Sequence, residues 1–268
     1  MIREPVVAGQ FYPGSKNALS KTLEEFFKEK RSPLEIKAAV VPHAGYIYSG
    51  KVAASLYSLC PKDIETAIIL GPNHTGLGSS YSIIKKGSWR TPLGEVKIDE
   101  EVANQISQKA EILEEDFEAH RAEHSIEVQV PFLQFLNTEV KIVPLILRDI
   151  DLSNLRLIAE AISLVVKKAS KKILVIASSD MTHYEEEQVA KNKDKKAIEA
   201  IIGLDEEELI QRANKFSISM CGIAPCYLAV NYAKKVGAKE GKLINYQTSG
   251  ETSGDYLSVV GYAAIALL

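Results

Sequence analysis

The side chains best suited to hold a metal or move a proton near neutral pH are five histidines and three cysteines. Three of the histidines stand in matched settings. His43 follows the apolar run Ala38-Ala39-Val40-Val41 and Pro42, with Gly45 just behind it. His74 follows Ala67-Ile68-Ile69-Leu70 and Gly71-Pro72, with Gly76 behind it. His183 follows a fourth apolar run through Ser178-Ser179-Asp180-Met181-Thr182. Imidazoles delivered by the ends of separate buried strands can meet at one ion, although polar loop ends can look alike without sharing a site. Cys221, followed by Gly222 and an apolar stretch, adds a soft ligand type. At the start of a helix and beside imidazoles, its thiol is expected to ionise easily and to be the most reactive of the three. Asp180, three residues before His183, is placed to orient that ring or to cap the helix that follows.

The other two histidines belong to His120-Arg121-Ala122-Glu123-His124, which matches H-x-x-E-H. On one helix, residues four apart share a face, and two imidazoles there could bind zinc with the glutamate as base of a peptidase. Helical apolar spacing begins only after His124, at Ile126, Val130, Leu133 and Leu136, so a shared face is a minor alternative. Otherwise Glu123 and His124 cap a loop or brace the cleft from outside a metal's coordination. Tyr46, Tyr48 and Asn73, next to the two leading histidines, are candidates to line the cleft, and the tyrosines can equally be packing residues.

The elements that must position these residues follow from periodicity. Short apolar runs near 36–41, 66–70, 141–147 and 172–177 read as buried strands. Amphipathic spacing predicts helices over about 16–30, 100–110, 151–168, 185–202, 206–215 and 225–236, with another from Val52 to Cys60. Residues 78–91 form a loop or hairpin, Pro131 kinks or shortens its helix, and final strands cover about 242–247 and 256–266. Apolar strands alternating with amphipathic helices imply an α/β fold: a central, mainly parallel (mixed) sheet with helices on both faces. Parallel strands share a direction, so His43, His74 and His183 converge at one sheet edge. Neither a repeat nor a low-complexity linker divides residues 1–268, which read as one domain.

Composition excludes several classes. The formal charge of −3 offers no field for nucleic acid or an anionic membrane. The four lysines of 167–172 read as a solvated helix end. No apolar stretch nears the ~20 residues of a membrane span, and residues 1–5 lack a signal-peptide core. Three cysteines make no disulfide framework and suit the cytoplasm.

Five ordered motifs carry a family resemblance: Pro42-His43-Ala44-Gly45-Tyr46, Gly71-Pro72-Asn73-His74, Glu123-His124-Ser125-Ile126-Glu127, Ser178-Ser179-Asp180-Met181-Thr182-His183 and Cys221-Gly222. Together they resemble the Memo family, named for a eukaryotic mediator of cell motility, whose microbial members are called AmmeMemoRadiSam system protein B. That family is similar in fold to class III extradiol dioxygenases. The resemblance implies His43 and His74 as metal ligands, Cys221 in place of the dioxygenases' glutamate ligand, and His183 as acid/base. A cysteine ligand shifts preference towards copper or zinc, with iron still possible. Two functions remain open: a metal-dependent redox enzyme acting on an unknown small molecule, or a non-catalytic module holding a peptide or protein in the cleft.

Overall fold

The structure is a computed structural model that describes residues 1–29 and 31–268. In chain order the strands are β1 (Ile2–Arg3), β2 (Ala38–Val41), β3 (Thr66–Pro72), β4 (Tyr81–Ile83), β5 (Ser88–Thr91), β6 (Gly94–Lys97), β7 (Glu114–Glu115), β8 (Lys141–Leu147), β9 (Ile173–Ser178), β10 (His183–Glu185), β11 (Gly241–Thr248) and β12 (Val259–Leu267). The helices are α1 (Lys16–Phe26), α2 (Tyr46–Tyr57), α3 (Glu100–Lys109), α4 (Glu118–Arg121), α5 (Val130–Leu136), α6 (Leu152–Lys168), α7 (Glu187–Ile202), α8 (Glu206–Lys215), α9 (Ile223–Lys235) and α10 (Gly250–Ser253).

The four apolar runs become neighbours. β2, β9, β3 and β8 lie side by side and parallel, while β12 joins β2 and β4 joins β8 antiparallel. The whole large sheet runs β10-β12-β2-β9-β3-β8-β4-β7, with β11 also on β12. β1, β5 and β6 form a small separate sheet. Every residue of β2 and β3 is buried. Successive strand side chains point to opposite faces, so both faces of the sheet are covered. α9 packs on β2, β9 and β3 with α6 and α8 against it, and α2 packs on β2, β11 and β12 with α1 and α5 against it. This is the mixed α/β architecture expected from the sequence.

Helix starts follow local chemistry. Ser15, Asp99, Asp151 and Asp205 each accept a backbone N–H at the head of a helix, a cap worth about 1 kcal/mol. Several boundaries differ from the sequence expectation. α2 begins at Tyr46, several residues before the apolar spacing that starts at Val52. Gly50 therefore lies inside it, where a Cβ would come within 2.5 Å of the Phe26 ring; the glycine serves α1–α2 packing and does not break the helix. His183–Glu185 pairs with β12 as β10, so α7 starts only at Glu187. Pro131 occupies the first turn of α5, where its missing N–H has no helical partner to lose. The helix expected to reach residue 30 ends at Phe26, where α1 is capped by Phe27; Lys30 itself lies outside the described residues. Among the described residues no helix is long and apolar enough to cross a membrane.

Candidate metal centre

β2 and β3 point the same way, and each ends at a proline followed by a polar turn. His43 therefore emerges beside His74, their ring centroids 5.1 Å apart. The His43 ring is buried, and its Nδ1 lies 2.9 Å from the Ser178 Oγ at the end of β9. Ser178 Oγ has one hydrogen, which it donates to the Ser125 carbonyl at 2.7 Å, and it also accepts from Gln129 Nε2. It can then only accept from His43, so His43 carries its proton on Nδ1 and keeps a lone pair on Nε2.

His74 is fixed by a carboxylate in the same way. Its Nδ1 donates to Glu123 Oε1 at 2.9 Å and its backbone N–H donates to Glu123 Oε2 at 2.5 Å. Glu123 also accepts the backbone N–H groups of His124 and Ser125. Burial opposes ionisation of Glu123, but the His74 hydrogen bond and charge and the backbone donors outweigh it and hold the carboxyl at about 2. His74 moves the other way: burial lowers its pKa, the Glu123 hydrogen bond and charge raise it, and the net shift is upward.

His124 closes the group. Its ring stacks on His74 at 4.6 Å and meets His43 edge-on at 5.5 Å. Phe11 packs on its remaining side, 4.9 Å away. One ring nitrogen each from His43, His74 and His124 lies within 4.8 Å of the others. Burial, then the neighbouring imidazoles, push the His43 pKa well below its ordinary value, and burial lowers His124 too. Those two rings stay neutral at pH 7 with lone pairs available. Gly71 makes the assembly possible. A Cβ there would come within 2.5 Å of Ser125 Oγ and 2.7 Å of Ile126 Cγ1, so the segment bearing His124 could not close on β3. The donor set fits a transition-metal ion: three imidazoles suit zinc, copper or iron, and a ligand histidine ordinarily donates its second N–H to a carboxylate or oxygen, as His43 and His74 do here.

Cys221 sits just before α9 and places Sγ 3.2 Å from His43 Nε2. The structure thus brings a third imidazole to the cluster and sets the thiol against His43. Burial, and then the Asp180 charge, push the Cys221 thiol well above its ordinary value, the reverse of the lowering expected from its position at a helix start. Desolvation outweighs the helix terminus here. His183 donates Nδ1–H to the Ser219 carbonyl at 3.0 Å, which leaves Nε2 as its free nitrogen. It is near enough for its charge to act on His43 and Asp180. Asp180 does not orient His183; Oδ1 accepts the backbone N–H groups of His43 at 2.8 Å and Ala44 at 3.3 Å. Burial raises the Asp180 pKa to about 6 against those bonds.

Other sequence expectations separate. His120 and His124 do not share a helical face, because α4 stops at Arg121. His120 is fully buried with Nε2 on Ser82 Oγ and its ring against Trp89, while His124 faces His43 and His74; the peptidase pairing is absent. Tyr46 is buried among Tyr12, Phe26 and Phe132 with its hydroxyl on the Val128 carbonyl. Tyr48 is part-exposed and its carbonyl accepts from Gln247. Asn73 braces its own turn by donating to the Leu77 carbonyl and accepting from Gly76 and Thr75.

Comparison with known proteins gives the lineage. The Memo-like protein family profile matches residues 3–266. The chain belongs to the Memo-like family. A MEMO1 family protein of Methanopyrus kandleri is 44% identical over 99% of this chain and 98% of its own length. Others from Caldivirga maquilingensis and Methanocaldococcus jannaschii are 44% and 41% identical, each over 98% of both chains.

Within this Memo-like chain, several residues at the site escape a sequence reading. Ser178, Gln129 and Ser219 fix rings or strand ends, yet each is a common polar residue at a strand end, in a 3-10 turn or in a loop. Only the Ser178-Ser179-Asp180 run beyond an apolar strand marks one of them. Tyr262, from β12, is close enough to Asp180, Tyr48 and Tyr184 for their charges to act on it. It lies in an apolar strand that reads as core.

Proposed function

We propose that this Memo-family chain holds one transition-metal ion on His43, His74 and His124 and uses the site for redox chemistry on a small molecule in the cleft. The observation that carries this is the way the rings are held. His43 and His74 each donate Nδ1–H to an oxygen fixed by other bonds, and one nitrogen of every ring points to a common space. A bound iron or copper ion would supply electron transfer there, and zinc a Lewis acid. The chain's own residues do the rest. Glu123 holds His74 by side chain and backbone and fixes the start of the His124 turn. Asp180 anchors the turn that presents His43. His183, its Nδ1–H committed to Ser219, offers Nε2 to take or give a proton. Cys221 stands beside His43, where a softer metal would find a fourth ligand.

A second reading has its own support. Ile47, Leu77 and Tyr184 are exposed large apolar residues, and each follows a site residue within four positions. Exposed apolar side chains this close in sequence to the site residues suit a non-catalytic module that binds a peptide or protein. Oxygen uptake with catechols, measured on tag-free protein loaded in turn with iron, copper and zinc, separates the two. Metal-dependent uptake that His183→Ala abolishes while the metal stays bound supports the enzyme. Bound metal with no uptake favours the module.

A further inference from the structure

One guanidinium ties the N-terminal segment to the centre. Arg3, in β1, is 2% exposed. Its Nε donates to the His120 carbonyl at 2.7 Å, its Nη2 to the Glu123 carbonyl at 2.6 Å, and its Nη1 to Glu127 Oε2 at 2.7 Å. Its Cζ lies 4.2 Å from the centroid of the Trp89 ring. Glu127 also accepts from the backbone of Val6 and Val7 and from the Tyr12 hydroxyl. Between α4 and the single 3-10 turn at Glu127–Gln129, residues 122–126 belong to no helix or strand. Yet they must present two groups to the centre: the Glu123 carboxylate that holds His74, and the His124 ring. A planar fork that bonds two carbonyls three residues apart sets the path of such a segment in a way a single point charge cannot.

We propose that Arg3 is a positioning residue of the metal centre, acting through the backbone of His120–Glu123 to place Glu123 and His124. The inference rests on the metal-centre reading. Arg3 touches none of the three rings. Its contribution is to the geometry of the donor set, which makes an N-terminal strand more than a hundred residues away in sequence part of the site's support.

Two measurements on the full metal-free chain test it: titration with Co(II) and side-chain NMR of the histidines. Arg3→Lys keeps a cation beside Glu127 and loses the fork. It is expected to weaken Co(II) affinity about 10-fold, the scale on which supporting hydrogen bonds act on metal sites. Without metal it should shift the His124 and His74 ring resonances by more than that of His183, which the Ser219 carbonyl holds outside this segment. Arg3→Ala should do the same more strongly; if it does not fold, Arg3→Lys alone decides. Unchanged affinity and unchanged rings in Arg3→Lys overturn the proposal. So does an equal shift of every histidine, or an equal loss of affinity in Leu209→Ala, a buried truncation in α8; either means general loosening. If the wild type takes up no Co(II), the metal-centre reading itself falls. Wild-type uptake with indifferent Arg3 variants overturns only the role of Arg3.

Discussion

Replacing Glu123 by glutamine changes one atom and removes the charge on which two of the three rings depend. The carboxyl accepts four donors: His74 Nδ1, and the backbone N–H groups of His74, His124 and Ser125. A glutamine can accept on one oxygen only, and its NH2 must then face an N–H, leaving buried donors unpaired. The drop of the carboxyl from the ordinary 4.5 to about 2 gives the magnitude. At about 1.4 kcal/mol per tenfold change in acidity, the ionised form is favoured in the folded state by about 3 kcal/mol. The sign follows from the depressed value. The stability is fully present above pH 4.5 and is lost as pH falls from there towards 2. Glu123→Gln should therefore lose about 3 kcal/mol at pH 7 in urea unfolding of metal-free protein. The gap to wild type should narrow below pH about 4.5. A variant within 0.5 kcal/mol of wild type at pH 7, or one that keeps the wild-type acid dependence, would refute the charged anchor.

Two further outcomes follow from the same geometry. Asp180 accepts both of its bonds on one oxygen, and an asparagine carbonyl can do the same. Because burial raises its pKa from 3.8 to about 6, the folded protein is penalised for ionising it, a cost that grows as pH rises between those values. Asp180→Asn should be more stable than wild type at pH 7 by about 1–3 kcal/mol, with the difference gone near pH 4; equal or lower stability at pH 7 contradicts this. Burial pushes all three thiols up, to about 12 for Cys60 and Cys226, so access decides which one reacts. Cys221 is the part-exposed one, so iodoacetamide should label it first and slowly in metal-free protein, and added zinc should protect it; mass spectrometry finding Cys60 or Cys226 labelled first contradicts that.

What was legible in the sequence is what short-range patterns encode. Apolar runs ended by proline gave β2 and β3 and put His43 and His74 together, because parallel strands leave little freedom in where their ends lie. The helices expected over 100–110 and 151–168 were readable for the same reason. His124 joining the cluster was not. Its position depends on Gly71 leaving space against β3 and on a turn whose carbonyls are held by Arg3, contacts between residues far apart in sequence. Asp180 reads in the sequence as an orienter of His183 or a cap of the next helix, whereas its partners are the backbone N–H groups of His43 and Ala44, which make no mark on a sequence. Tyr46 followed a site histidine by three positions and looked like cleft, yet the early start of α2 turned it into the core.

The central claim is that three imidazoles, His124 among them, hold one ion. Its most direct test is the metal content of tag-free chains reloaded with zinc and desalted, measured by elemental analysis. Wild type, His120→Ala and His183→Ala should retain one equivalent, while His43→Ala, His74→Ala and His124→Ala should lose it. A His124→Ala protein that keeps its full equivalent, while Cys221→Ala loses it, would contradict the account and return the ligand set to His43, His74 and Cys221.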